Sequence, residues 1–212
     1  MLYLQSFTFN PFQENTYVIF NDKNQCWIVD PGMYNAAENS RLDDFINHKQ
    51  LTPQAIINTH AHIDHILGAQ YLKNKYNIPF HLHEKDQILL DNAIASAAMF
   101  GFDFRDTPKV DSYLKEGTFY QAGDDKLEIR FAPGHAPGHI VFYYPEGNWV
   151  FAGDVLFNGS IGRTDLPGGN FETLINSIHT QLFTLPDGTV VHSGHGPATT
   201  IGNEKLHNPF LQ

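Results

Sequence analysis

Six consecutive residues, His60-Ala61-His62-Ile63-Asp64-His65, carry three imidazoles and one carboxylate. Neutral imidazole nitrogen and carboxylate oxygen are donors that zinc and similar transition ions prefer, so the stretch reads as a metal site. The spacing also constrains the backbone. Side chains at i and i+2 diverge on a helix, so His60 and His62 can share an ion only where the chain is extended. The flanks agree. Ala55-Ile56-Ile57-Asn58-Thr59 is a short apolar run of strand type, and Ile66 to Lys73 has helical periodicity. The cluster is thereby placed in a strand-to-helix loop, beyond the carboxyl end of a strand, where open α/β sheets hold their sites. A polar surface turn is the plain alternative, and four donors in six positions argue against it.

The rest of the chain supplies the scaffold. Leu2 to Phe9 alternates apolar and polar residues, Thr16 to Phe20 is apolar and β-prone, and Gln25 to Val29 repeats the pattern after the turn Asn21-Asp22-Lys23-Asn24. This predicts an antiparallel meander. Asp30-Pro31-Gly32 ends the third strand, and Ser40 is the expected N-cap of a helix over 41–48. Beyond the metal loop, the pattern predicts a strand over 78–83 and a helix over 84–99 with Gly101 as its stop. Strands over 126–131, 140–144 and 149–152, a helix over 171–183 and a strand over 189–192 follow. Two β-rich halves flanked by helices predict an α+β fold, with two sheets face to face and helices outside, an αββα four-layer sandwich. At 212 residues, with Pro and Gly scattered rather than gathered in a linker, residues 1–212 are expected to form a single domain.

Composition bears on partners. A formal charge of -10 with only 13 Lys and Arg argues against nucleic acid, whose binders carry a basic stripe. The start has no cationic segment followed by an apolar core, and no apolar run reaches the roughly 18 residues of a membrane helix. A cytoplasmic protein without membrane contact is therefore expected. Cys26 lies in a strand expected to be buried and reads as a packed thiol.

Three further donors follow predicted strands and stand beside glycine, where backbone can approach a cleft closely. They are His135 in Pro133-Gly134-His135, Asp154 in Ala152-Gly153-Asp154, and His195 in Ser193-Gly194-His195-Gly196-Pro197. With Thr59 to His65 matching the signature Thr-His-x-His-x-Asp-His, the chain closely resembles the metallo-β-lactamase superfamily. Within it, the chain looks most like the short bacterial glyoxalase II-like hydrolases, through Asn10-Pro11-Phe12-Gln13-Glu14-Asn15-Thr16-Tyr17, Gly159-Ser160-Ile161-Gly162-Arg163-Thr164-Asp165 and Gly194-His195-Gly196-Pro197. The resemblance covers nearly the whole chain. It implies a metallo-β-lactamase-like fold and a dinuclear centre, with His60, His62 and His135 on one divalent ion, Asp64, His65 and His195 on the other, and Asp154 bridging both. Zinc is the expected metal, and iron and manganese accept the same ligands. His139 is the nearest rival to His135, and a supporting place beside the ligands or at the start of a strand is expected for it.

The resemblance further implies metal-assisted hydrolysis of an acyl bond. A water on such ions titrates near pH 7 and can attack without a serine or cysteine, so catalysis is expected to rest on Asp64 and Asp154 with that water. A departing thiolate, of pKa about 8.5, needs no general acid. The expected substrate is therefore a small anionic hydroxyacyl thioester such as S-lactoylglutathione. Arg163 is the candidate partner of a substrate carboxylate, against a structural role in a Gly-rich turn. Full-length glyoxalase II enzymes carry an additional helical domain that holds much of the glutathione, and only Pro197 to Gln212 follow the last ligand here. Persulfide dioxygenases share the fold and a run like Gly162-Arg163-Thr164-Asp165, which makes a mononuclear-iron oxidoreductase on His60, His135 and Asp154 the main alternative. Cleavage of β-lactams or RNA, and a noncatalytic binding protein stapled by its metal, are weaker alternatives.

Overall fold

Strand alternation decides where each layer of this protein lies. A computed structural model describes residues 1–212. Its first half supplies β1 (Leu2–Phe9), β2 (Glu14–Asn21), β3 (Gln25–Val29), α1 (Ala36–His48), β4 (Thr52–Ile57), α2 (Ala69–Tyr76), β5 (Phe80–His83), α3 (Gln87–Asp91), α4 (Ala93–Met99) and β6 (Ser112–Leu114). The six strands pair in chain order, antiparallel from β1 to β3 and parallel from β3 to β6. The change follows from the connections, since tight turns reverse the chain whereas α1 and α2 return it over one face.

The second half supplies β7 (Phe119–Ala122), β8 (Asp125–Phe131), β9 (Ile140–Tyr144), β10 (Trp149–Gly153), a small hairpin of β11 (Leu156–Phe157) and β12 (Ser160–Ile161), α5 (Phe171–Ser177), β13 (Val190–Ser193), β14 (Thr199–Thr200) and α6 (Ile201–His207). Its main sheet runs β14-β13-β10-β9-β8-β7, with β10 and β13 parallel and the other pairs antiparallel.

Val18, Cys26 and Ile28 point toward the helices of the first half and pack with Leu42, Ile46 and Leu72. Their neighbours Tyr17, Ile19, Trp27 and Val29 point the other way and meet Ile140, Phe142, Tyr144 and Phe151 of the second sheet. On that sheet Val141, Tyr143 and Val150 face outward onto Leu174, Ile178 and Leu182. A period of two thus sends alternate residues into different apolar layers, and the sandwich has the expected four layers. Cys26 is fully buried, and burial pushes its thiol up to about 12, as suits a packing residue. No helix is long and apolar enough to cross a membrane.

Several boundaries correct the sequence expectations. The first helix begins at Ala36, and its N-cap is Asn35 rather than Ser40. Asn35 Oδ1 accepts from the Glu38 N–H at 3.0 Å, while the Glu38 carboxylate accepts from the Tyr34 N–H at 2.8 Å. That reciprocal pair outcompetes a lone serine one turn later. The segment over 84–99 is a 3-10 turn followed by two helices, because the Asn92 side chain donates to Ile88 O at 2.7 Å and breaks the run. Gly101, at φ +79, does close α4. The helix expected from Ile66 starts at Ala69 after a 3-10 turn over Ile63–His65, and α5 passes into a π-turn at Ile178–Leu182.

Candidate metal centre

The loop after β4 is held from outside before any donor is considered. Asn58, fully buried, donates to the carbonyls of His60 at 3.1 Å and His65 at 2.9 Å, closing the loop on itself. The Ala61 N–H donates to Asp86 Oδ2 at 2.9 Å, and the other oxygen of that carboxylate takes the Gly138 N–H. Asp86 thereby ties the metal loop to the loop of His135. The backbone is extended at His62 and turns 3-10 at Ile63–His65, as the i, i+2 spacing requires.

The loops after β8, β10 and β13 bring the distant donors to the same place. His62 Nδ1 and His135 Nε2 are 2.8 Å apart, and His60, His62 and His135 form one group able to hold an ion. Asp64, His65 and His195 form a second, with Asp64 Oδ2 3.1 Å from His195 Nε2 and 3.6 Å from His65 Nε2. Asp154 stands between the groups. Its Oδ1 is 3.4 Å from His65 Nε2, and its Oδ2 is 3.5 Å from both His135 Nε2 and His195 Nε2. This crowding requires glycine at position 194, where a Cβ would lie 2.1 Å from Asp154 Oδ1.

Hydrogen bonds on the far side of four of the rings, those of His60, His65, His135 and His195, set which nitrogen faces inward. Asp30 accepts from the Thr59 N–H at 2.7 Å and from the Thr59 hydroxyl at 2.6 Å. That hydroxyl, having spent its proton, accepts from His60 Nδ1 at 3.0 Å. His65 Nδ1 donates to Asp30 Oδ2 at 3.2 Å, His135 Nδ1 to the Arg163 carbonyl at 2.8 Å, and His195 Nδ1 to the Phe12 carbonyl at 3.0 Å. The Nε2 of each of these four rings is thereby turned toward the cluster. Asp30 also groups with His60 and His65 as a possible ion-holding set, but its carboxylate is occupied by these donors and lies on the Nδ1 side of both rings.

The donor set fits a cation on its own terms. His60 Nε2, His65 Nε2 and Asp154 Oδ1 are buried with no hydrogen-bond partner. An orphaned buried polar atom costs about 1–3 kcal/mol, so three facing one another form an arrangement that coordination satisfies. Burial holds His60 and His135 below the ordinary imidazole range and His62 at about 3, in the neutral form that binds metal. At His65 and His195 burial acts in the same direction. There the carboxylates of Asp154 and Asp64 outweigh it, raising His65 well up and His195 to about 10. Burial raises Asp64 and Asp154 in turn, and the His65 charge and the His195 bond bring both below the usual carboxylate range.

His139 lies behind the donors. Its ring stacks on His60 at 4.6 Å, and its Nε2 accepts the Asp154 N–H at 3.1 Å, so it steadies two donors from outside. Arg163 reaches the cluster through its carbonyl, while its guanidinium pairs with Asp165 at 2.7 Å through both Nε and a terminal nitrogen. His83 and His192 lie apart, the first pairing with Glu116 and the second packing against Tyr17 and Phe151. Sequence reading passed over Asp30, Thr59 and Asp86 as site residues. Asp30 had one local signal, a carboxylate placed directly after a buried strand and before Pro31-Gly32. His62, Asp64, His135, Asp154 and His195 floor a cleft of about 860 Å³ between α3–α4 on one side and the Arg163 to Gly168 loop on the other, with His60 and His65 buried beneath them.

Comparison with known proteins agrees with this geometry. The model of the metallo-beta-lactamase superfamily matches residues 9–195. Hydroxyacylglutathione hydrolase GloC of Haemophilus influenzae is 40% identical over 207 residues, covering 94% of this chain and 93% of the relative. The crystal structure of BLEG-1 B3 metallo-beta-lactamase superposes with a TM-score of 0.91 at 39% identity, covering 99% of this chain and 100% of the other. That of TTHA1623 in a di-iron-bound form does so with a TM-score of 0.88 at 39% identity, covering 98% and 100%. By fold, by donor arrangement and by sequence, the chain belongs to the metallo-beta-lactamase superfamily.

Proposed function

We propose that this protein is a dinuclear-metal hydrolase that cleaves hydroxyacyl thioesters such as S-lactoylglutathione. His60, His62 and His135 would hold one ion and Asp64, His65 and His195 the other, with Asp154 placed between the two groups. The observation that carries the reading is the meeting of two donor groups on one cleft floor, with buried unpaired atoms on His60, His65 and Asp154. Bound there, two divalent ions supply Lewis acidity and a water whose pKa is drawn to about 7.

The chain's own residues prepare the site. Asp30, Thr59 and the carbonyls of Phe12 and Arg163 hold the Nδ1 protons of His60, His65, His135 and His195 outward, so the inward nitrogens stay free to ligate. In the overall reaction the oxygen of water bonds to the acyl carbon and the carbon–sulfur bond breaks, leaving a carboxylate, a thiolate and protons. No general acid is needed, because the thiolate leaves unprotonated. The GloC relative, matched over most of its own length, supports the choice of substrate. The grouping of Asp64, His65 and His195 supports two ions over the single iron of a dioxygenase, which would use only His60, His135 and Asp154.

Protein reconstituted with zinc, manganese or iron is expected to release thiol from S-lactoylglutathione, followed with a thiol reagent. Absence of turnover with all three metals would remove this substrate. One iron per chain with oxygen uptake on glutathione persulfide would favour the dioxygenase instead.

A further inference from the structure

The donor floor continues into a wall that the hydrolysis itself does not require. Phe12, Ile88, Met99, Phe100 and Leu166 all line the cleft. Several are strongly exposed, Ile88 at 59%, Met99 at 83% and Phe100 at 41%, and with Phe12 they bring four of the twelve exposed large apolar side chains to one mouth. Such a gathering marks a binding surface. Phe12 joins this wall to the donors, since its carbonyl holds His195 while its ring packs edge-on against Phe100 at 5.4 Å.

Charge runs the other way. Arg163 is the one Lys or Arg in the lining, and Asp165 already pairs with it. A glutathione moiety, with two carboxylates, finds little here to select it, whereas an apolar chain finds a wall. The volume of about 860 Å³ also far exceeds a lactoyl group, lying in the upper part of the roughly 300–1,000 Å³ range of sites for drug-sized ligands.

Resting on the thioesterase reading above, we propose that the cleft takes the acyl half of the substrate and selects 2-hydroxyacyl thioesters bearing an apolar chain longer than lactoyl. The chain lies against Ile88, Met99 and Phe100, and the thiol half extends toward solvent.

The test uses the full metal-loaded protein and S-(2-hydroxyacyl)glutathiones that differ only in acyl length, from lactoyl through 2-hydroxybutanoyl and 2-hydroxyhexanoyl to 2-hydroxyoctanoyl. kcat/KM is expected to rise about threefold per added methylene until the wall is covered, mostly through KM. Ile88→Ser and Met99→Ser are each expected to lower the hexanoyl-to-lactoyl ratio at least about threefold. Leu206→Ser, which removes an exposed apolar side chain outside the cleft, leaves that ratio unchanged. A flat or falling series on active enzyme overturns the acyl-chain assignment and leaves the thioesterase reading standing. So does a rising series that Ile88→Ser and Met99→Ser do not alter. Hydrolysis of no member of the series overturns both.

Discussion

Asp154→Ala is expected to lower kcat/KM for a thioester by about a thousandfold or more while far-UV circular dichroism stays that of the folded protein. Asp154 approaches both donor groups from the Nε2 side, through Oδ1 toward His65 and through Oδ2 toward His135 and His195. On the two-ion reading proposed above, its removal would take a ligand from each ion at once, and it strips His65 and His195 of one of the two carboxylates that balance them. The fold is spared, because Asp154 lies on the cleft floor and belongs to none of the three apolar clusters that separate the layers. Near-native turnover in this variant would remove Asp154 from the chemistry. Global unfolding would instead mark the cluster as a structural staple.

Asp30→Ala is the second large effect, and it acts without touching substrate. Asp30 is 2% exposed and accepts from the Thr59 N–H, the Thr59 hydroxyl and His65 Nδ1. Each buried donor left unpaired costs about 1–3 kcal/mol, so a loss of about 3–5 kcal/mol in the urea unfolding free energy is expected. The orientations of His65 and, through Thr59, of His60 are lost with it, and metal affinity is expected to fall about 10- to 100-fold. A change below about 1 kcal/mol with full metal retention would show that Asp30 does not orient the donors.

How much of this was legible in the chain follows from the range of each interaction. The metal loop could be read directly, because four donors in six positions have little other use and strand and helix signals bracket them. The sandwich could be read from alternation, since Tyr17 and Val18, or Trp27 and Ile28, fall to opposite faces. His135, Asp154 and His195 stood out by glycine neighbours and family resemblance, and the structure brings all three to the loop.

The supporting layer was not legible, because its bonds are long-range. Asp30 reaches Thr59 across 29 positions and His65 across 35, and Asp86 reaches Ala61 across 25 and Gly138 across 52. Nothing local distinguishes such a carboxylate from one that ends a strand or opens a helix. Ser40 misled because an isolated serine looks like a cap, whereas the working cap at Asn35 depends on Glu38 reaching back toward the preceding residues. The strands β6, β11, β12 and β14, two or three residues each, are too short for a period of two to register.

The two-ion floor underlies every functional statement above, and elemental analysis of the purified, metal-replete protein tests it most directly. Two divalent ions per chain, falling to about one in His195→Ala, is the result expected from the two donor groups. A single ion per chain in the native protein, or none, would contradict it.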